Sequence, residues 1–208
     1  MKIFGKMFGF ALGLLLASGC CDPCDKGDLG DFLLQNGTED WLVAAGDPSR
    51  TFTDQNGQTL TFTYSPLEGG FTADQAGCDP PDDCGQCCFQ LRSAFLYTRL
   101  SGPNGARYFD LRIEKDFVQH TVDDPPAAIT DYLRISSQDQ LSCELFEIPS
   151  LELTNSVLLN GQVYTEVFSC ERSDRSGATD EVVAWHFNRQ RGIVGFEWAD
   201  GTVWSLDL

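Results

Sequence analysis

Histidine is almost missing from this chain of 208 residues: only His120 and His186 occur, far apart in sequence. That scarcity removes the side chain most used for acid–base catalysis and metal ligation near neutral pH. Also missing are the Gly-x-Ser-x-Gly nucleophile elbow, His-Glu-x-x-His and any phosphate-cradling glycine loop. Basic residues are few, 14 Lys and Arg against 31 Asp and Glu, for a net charge of −17. Such a balance excludes nucleic acid, whose phosphates require neutralisation, and excludes resting flat on an anionic lipid surface. No segment sustains a long helical period, and no repeat of fixed length recurs.

What is present begins at the N-terminus. Lys2 and Lys6 precede an apolar run from Met7 to Leu16, followed by Ala17-Ser18-Gly19 and then Cys20 and Cys21. A positive end, a short apolar stretch and a small-residue site describe a cleaved secretory signal over residues 1–19. The run is shorter than the roughly 20 apolar residues that a membrane helix requires. Leu16-Ala17-Ser18-Gly19-Cys20 resembles the lipobox of bacterial lipoproteins, and the resemblance implies diacylation of Cys20. A second frame places the modified residue at Cys21. The resemblance further implies a cell-envelope address: with Cys20 acylated and Cys21 following, the outer membrane is favoured over the inner, whereas Asp22 after an acylated Cys21 favours the inner. The membrane partner is thus reached through lipid.

Removing residues 1–19 leaves 189 residues, enough for one domain with a sizeable core. The mature charge becomes −19, because the signal takes two basic residues and no acidic ones. Residues 20–38 are acidic and punctuated by Gly and Pro, and read as a tether; within them, residues 28–36 read as one short helical turn. Residues 39–208 form the domain.

That domain reads as all-β. Phe52 opens a strand, Asn56-Gly57 supplies a hairpin turn, and Leu60, Phe62 and Tyr64 alternate with threonines. Phe89, Leu91, Phe95 and Tyr97 share one side of the next strand, with Gln90, Arg92 and Thr98 on the other. After the Ser101–Gly105 turn, Phe109, Leu111 and Ile113 alternate with Asp110, Arg112 and Glu114, and Ile129, Leu133 and Ile135 make a further strand. Leu141 to Leu153 is apolar-rich, and Asn160-Gly161 is a second hairpin signal. Val183, Trp185 and Phe187 face one way; Val194, Phe196 and Trp198 follow, and Asp200-Gly201 turns into the last strand. Short strands at this spacing predict a single antiparallel sandwich or a sheet curled into a half-barrel. Gly161, Tyr164, Gly192-Ile193-Val194-Gly195-Phe196, Asp200-Gly201 and Trp204 together resemble the final strands of small β-rich lipoproteins of Gram-negative bacteria. That resemblance implies architecture and brings no activity with it.

Nine cysteines, less an acylated Cys20, leave an even number, which in an exported chain implies disulfides. Cys21 and Cys24 form a tether pair, Cys78, Cys84, Cys87 and Cys88 a central cluster, and Cys143 and Cys170 a C-terminal pair. Cys84-x-x-Cys87 with Cys78 has the spacing of a metal site, and Cys-x-x-Cys is also a redox motif. An oxidising compartment and the adjoining strand at Phe89 read the cluster as disulfide staples instead. Asp79, Asp82 and Asp83 lack the EF-hand pattern and read as a solvated loop, as do Asp123-Asp124. His186 reads as a sheet histidine. No catalytic residue, metal ligand or cofactor is therefore expected. The expected function is an interaction or structural module of the envelope with a protein partner. The alternatives are a carrier holding an apolar ligand in a curved sheet, favoured by 15 phenylalanines, and an enzyme acting on envelope polymers.

Overall fold

The computed structural model describes residues 28–42, 48–76, 88–118, 127–148, 150–172 and 179–207. The signal, Cys20, Cys21, Cys24, the cluster Cys78, Cys84 and Cys87, the acidic residues 79–83, His120 and Asp123-Asp124 lie outside them. Among the described residues fourteen strands follow in order: β1 (Asp28–Phe32), β2 (Ser49–Asp54), β3 (Thr59–Tyr64), β4 (Glu68–Ala76), β5 (Phe89–Ser101), β6 (Tyr108–Val118), β7 (Ala127–Ser137), β8 (Ser142–Ile148), β9 (Ser156–Leu159), β10 (Gln162–Thr165), β11 (Val167–Glu171), β12 (Val182–Asn188), β13 (Gly192–Trp198) and β14 (Val203–Leu206). No α-helix occurs among the described residues, and none is long and apolar enough to cross a membrane.

Ten strands form one continuous path, β11-β12-β13-β14-β2-β3-β5-β6-β7-β8, antiparallel throughout. The sheet curls into a nearly closed half-barrel. Its two end strands meet without a ladder: Cys143 on β8 is bonded to Cys170 on β11. Side chains reinforce this seam. Arg172 donates to the Asp139 carbonyl at 2.6 Å, Asp139 accepts the Val182 N–H at 2.9 Å, and the Trp185 indole N–H donates to the Leu141 carbonyl at 3.3 Å.

The interior is filled with rings. Phe52, Phe62, Phe109 and Phe196 are each buried, with centroid contacts between 5.2 and 6.2 Å. Trp204 stacks on Phe196 and Trp41 on Phe187. Period two puts them there, since on each barrel strand alternate residues point inward. Phe109, Leu111 and Ile113, with Leu133 and Ile135, are fully buried as expected. The turns also match their sequences. Asn160 and Gly161 have φ of 48° and 84° and join β9 to β10, and the Asp54 carboxylate accepts the N–H groups of Asn56 and Gln58 in the β2–β3 turn.

Three expectations need correction. Residues 28–36 hold strand β1 rather than a helical turn, paired in parallel with β5; residues 28–38, read as tether, thus belong to the domain in part. Thr38 and Trp41 are fully buried at one end of the barrel. An inward ion pair fixes them: Lys115 meets Asp131 at 2.5 Å, and the other oxygen of Asp131 accepts the Gln35 N–H at 2.7 Å and the Thr38 hydroxyl at 2.6 Å. Second, β5 spans two environments. Its Phe89 and Leu91 are buried, but Phe95 and Tyr97, on the same side, are only half-buried on the outer face, and Thr98 is fully buried. The Thr98 hydroxyl donates to the Ser65 carbonyl at 2.9 Å, which meets the demand of burial. Third, an irregularity between Val182 and Ala184 puts Val182 in the main core cluster with Trp185 and Phe187, while Val183, also buried, lies outside that cluster.

Candidate interaction site at the barrel mouth

The turn joining β12 to β13, Arg189-Gln190-Arg191, is set by one buried side chain. The Asn188 carbonyl oxygen accepts the N–H groups of Gln190 (2.8 Å) and Arg191 (3.1 Å), while its amide donates to the carbonyls of Thr165 (2.9 Å) and Glu166 (3.2 Å). Gly192 follows at φ +78°, and a Cβ there would stand 2.3 Å from the Tyr64 hydroxyl, so only glycine fits. Burial pushes that phenol up to about 12, so it stays a neutral wall.

Three clefts surround this turn, and Gln190 lines all of them. The first, about 600 Å³, lies between Arg189 and the extended residues 151–154. Its floor is Trp41, over whose ring the Arg189 guanidinium sits at 5.0 Å, with Asp40 at 3.9 Å. The second, about 670 Å³, lies between Arg191 and Arg50. The third, about 270 Å³, runs from Arg191 to Val163 and Glu166.

Beside the third cleft lies the β9–β10 hairpin, laid against the outside of the barrel. The Asn160 amide reaches the carbonyls of Thr53 and Val203, each at 3.0 Å, and the Ser205 hydroxyl at 3.1 Å. The Tyr164 hydroxyl donates to the Leu206 carbonyl at 2.5 Å. Leu159 sits on Gly195, where a Cβ would be 2.3 Å from the leucine methyl and 2.6 Å from the Trp204 carbonyl. With its inner side so used, the hairpin turns Leu158 and Val163 outward. They are direct cross-strand partners, 66% and 62% exposed, a pair of apolar side chains on a pinned support.

Elsewhere, the outer face of β5 to β8 carries a second concentration of polar and aromatic groups. Arg99 pairs with Asp110, Arg112 with Glu114, and Arg134 with Glu144 and Glu114. Arg99 lies over Tyr108 and Arg112 over Phe95. Burial and the Asp110 carboxylate push Tyr97 up to about 12; burial and Glu114 do the same to Tyr132. This face neutralises itself and stabilises the sheet through cross-strand pairs.

His186 is a buried sheet histidine whose Nδ1 lies 2.8 Å from the Ser169 hydroxyl, its pKa pushed down to about 4 by burial, with Glu197 opposing. A nucleophile–base pair needs a third group orienting the base. Ser169 is a hydrogen-bond partner of His186, and the Glu197 carboxylate acts on the ring electrostatically. Cys88 is buried and disulfide-bonded, and Cys143 pairs with Cys170, uniting the two cysteines grouped by sequence. Among the described residues no three His, Cys, Asp or Glu side chains gather as a metal cage.

Sequence reasoning passed over Arg189, Arg191 and the outward Leu158–Val163 pair. Two arginines in one hairpin turn of an acidic chain were a readable signal. So was the unbroken Val157-Leu158-Leu159 run in a short strand, where period two must expose one apolar residue.

No protein-family model, no curated protein and no solved structure matches this chain.

Proposed function

We propose that this protein is a lipid-anchored lipoprotein of the bacterial cell envelope, held through Cys20, whose domain works as an interaction module for another envelope protein. The N-terminal signal and its lipobox-like end support the anchor. The observation that carries the interaction reading is the Leu158–Val163 pair, exposed on a hairpin fixed by Asn160 and Tyr164 beside the mouth clefts. Exposed apolar groups on a rigid support cost little ordering on binding and are the usual core of a contact surface. The carrier reading has less behind it, because the described interior is occupied by packed rings.

The test is photo-crosslinking in the native membrane, with the reactive amino acid at Thr165 in the full-length protein. One discrete adduct is expected, and it should disappear when Leu158 and Val163 are both replaced by Asp. The same probe at Ser142, on the outer side of β8, should give none. An adduct that persists in the double variant, or no adduct at Thr165, would remove this reading.

A further inference from the structure

Six large apolar side chains stand exposed among the described residues, and three of them share one part of the molecule: Leu33 (66%), Leu67 (42%) and Phe71 (44%). Of the others, Leu158 and Val163 form the hairpin pair and Phe146 stacks on Tyr132. The three belong to a flap in which β5 carries β4 on one edge and β1 on the other, both off the barrel path.

Register places the apolar groups of the flap on one face. Gly69 is opposite Leu96, Phe71 opposite Ala94 and Ala73 opposite Arg92, and directly opposed residues project to the same side. Across β5, Asp31 of β1 is opposite Arg92 and paired with it. Leu33 immediately follows β1 and Leu67 immediately precedes β4, two residues from Asp31 and Gly69, so period two carries both to this face. The face therefore reads Leu67, Gly69, Phe71 and Ala73 on one strand, with Leu96 and Ala94 beside them. The Arg92 guanidinium lies 5.4 Å from the Phe71 ring centroid, its charge met by Asp31. β4 pairs with β5 alone among the described strands, and Gly69, Phe71 and Ala73 are exposed.

The flap is also where the chain enters the domain. Asp28 is eight residues beyond Cys20, and eight residues span at most roughly 29 Å even fully extended. β4 lies two strand spacings from β1, roughly 10 Å further. An acyl chain on Cys20 thus keeps the stripe close to a bilayer. Leu and Phe side chains bury at the headgroup boundary, while the Arg92 stem extends its charge back to water. A net charge of −17 repels anionic headgroups, so zwitterionic lipid is the surface that suits this chain.

We propose that the Leu33–Leu67–Phe71 face of the flap is a lipid-contact surface, resting on zwitterionic bilayer beside the acyl anchor and so setting the orientation of the domain. This contact rests on the reading that Cys20 is acylated and goes beyond it, since an acyl chain alone leaves the domain free to turn. It uses none of the Leu158–Val163 hairpin.

Photo-crosslinking in nanodiscs tests it. Full-length acylated protein carries the photoreactive amino acid at Phe71, in phosphatidylcholine with an alkyne-tagged acyl chain. Irradiation should give a lipid adduct, and the same probe at Ser142 should give none. Leu33→Asp combined with Leu67→Asp should cut the Phe71 adduct roughly tenfold, the order for withdrawing two half-exposed apolar side chains from lipid. Admixed phosphatidylglycerol should lower it as well. Both substituted residues are exposed, and an unchanged near-ultraviolet circular dichroism spectrum certifies the fold. Intact mass in the same samples reports acylation. Acylated protein that gives no lipid adduct at Phe71, that crosslinks to a second copy of the chain instead, or whose adduct ignores the two aspartates would overturn the lipid contact and leave the anchor standing. A chain without an acyl group would refute the anchor and the contact with it.

Discussion

His186 is where a single residue makes stability depend on pH. Burial holds its folded-state pKa near 4, against 6.5 when unperturbed. As pH falls through 6.5 the unfolded chain takes up a proton that the folded chain refuses, so its contribution is complete above that value and is lost between it and 4. At about 1.4 kcal/mol per pH unit the loss reaches roughly 3 kcal/mol. Urea unfolding at pH 7 and at pH 4.5 should show it, with His186→Gln losing less than the parent over the same interval. An equal loss in both would refute the assignment. Residues on β5 teach a related lesson about reading burial. The pattern put Phe95 and Tyr97 on one side of the strand and Thr98 on the other, and it is Thr98 that is fully buried while the two rings are half-buried. Side-chain type alone misled there because the decisive terms are pairwise: Tyr97 donates to Asp110 at 2.6 Å, Phe95 packs under Arg112, and Thr98 finds the Ser65 carbonyl.

At the scale of elements, period two and the two Asn-Gly turns made most barrel strands readable, β6 most plainly. β1 was not, because its partner β5 lies some sixty residues away, and its link, Asp31 to Arg92, is not a local pattern. The seam was equally hidden, since it exists only once the sheet has curled. Between β8 and β11 a disulfide and a few side-chain bonds stand in for a ladder. Opening a link across 27 residues frees the unfolded chain by about 3–4 kcal/mol in the loop-entropy account. The Cys143→Ala/Cys170→Ala variant should lose stability of this order in denaturant titration. Amide exchange should quicken first in β8 and β11; uniform acceleration over all strands would count against the seam as the weak join.

For the whole molecule, a chain with a net charge of −17 is repelled by an anionic membrane surface, so in the proposed anchoring attachment falls to the N-terminus. Cells fed an alkyne fatty acid should label the protein, with labelling abolished by Cys20→Ser and kept by Cys21→Ser. The reverse pattern would move the anchor one residue and shift the expected membrane from outer to inner. Charge and length could be read as global quantities from the first line of sequence. The closure of the barrel could not, because it depends on which distant strands are neighbours.

One such neighbour pair has a bearing on how the chain comes together. β14 is the last strand in sequence but sits in the middle of the sheet, joined to β2 by Trp204 with Asp54, Ser205 with Thr53, and Leu206 with Phe52. The block from β11 to β14 and the block from β2 to β8 are joined in the sheet by this short ladder on one side, and on the other by the disulfide and a few side-chain bonds. β2 must therefore wait, edge exposed, until β14 has been made. Contacts between such distant segments make folding slow. Loss of as few as four C-terminal strand residues would not trim the sheet but part it into two halves.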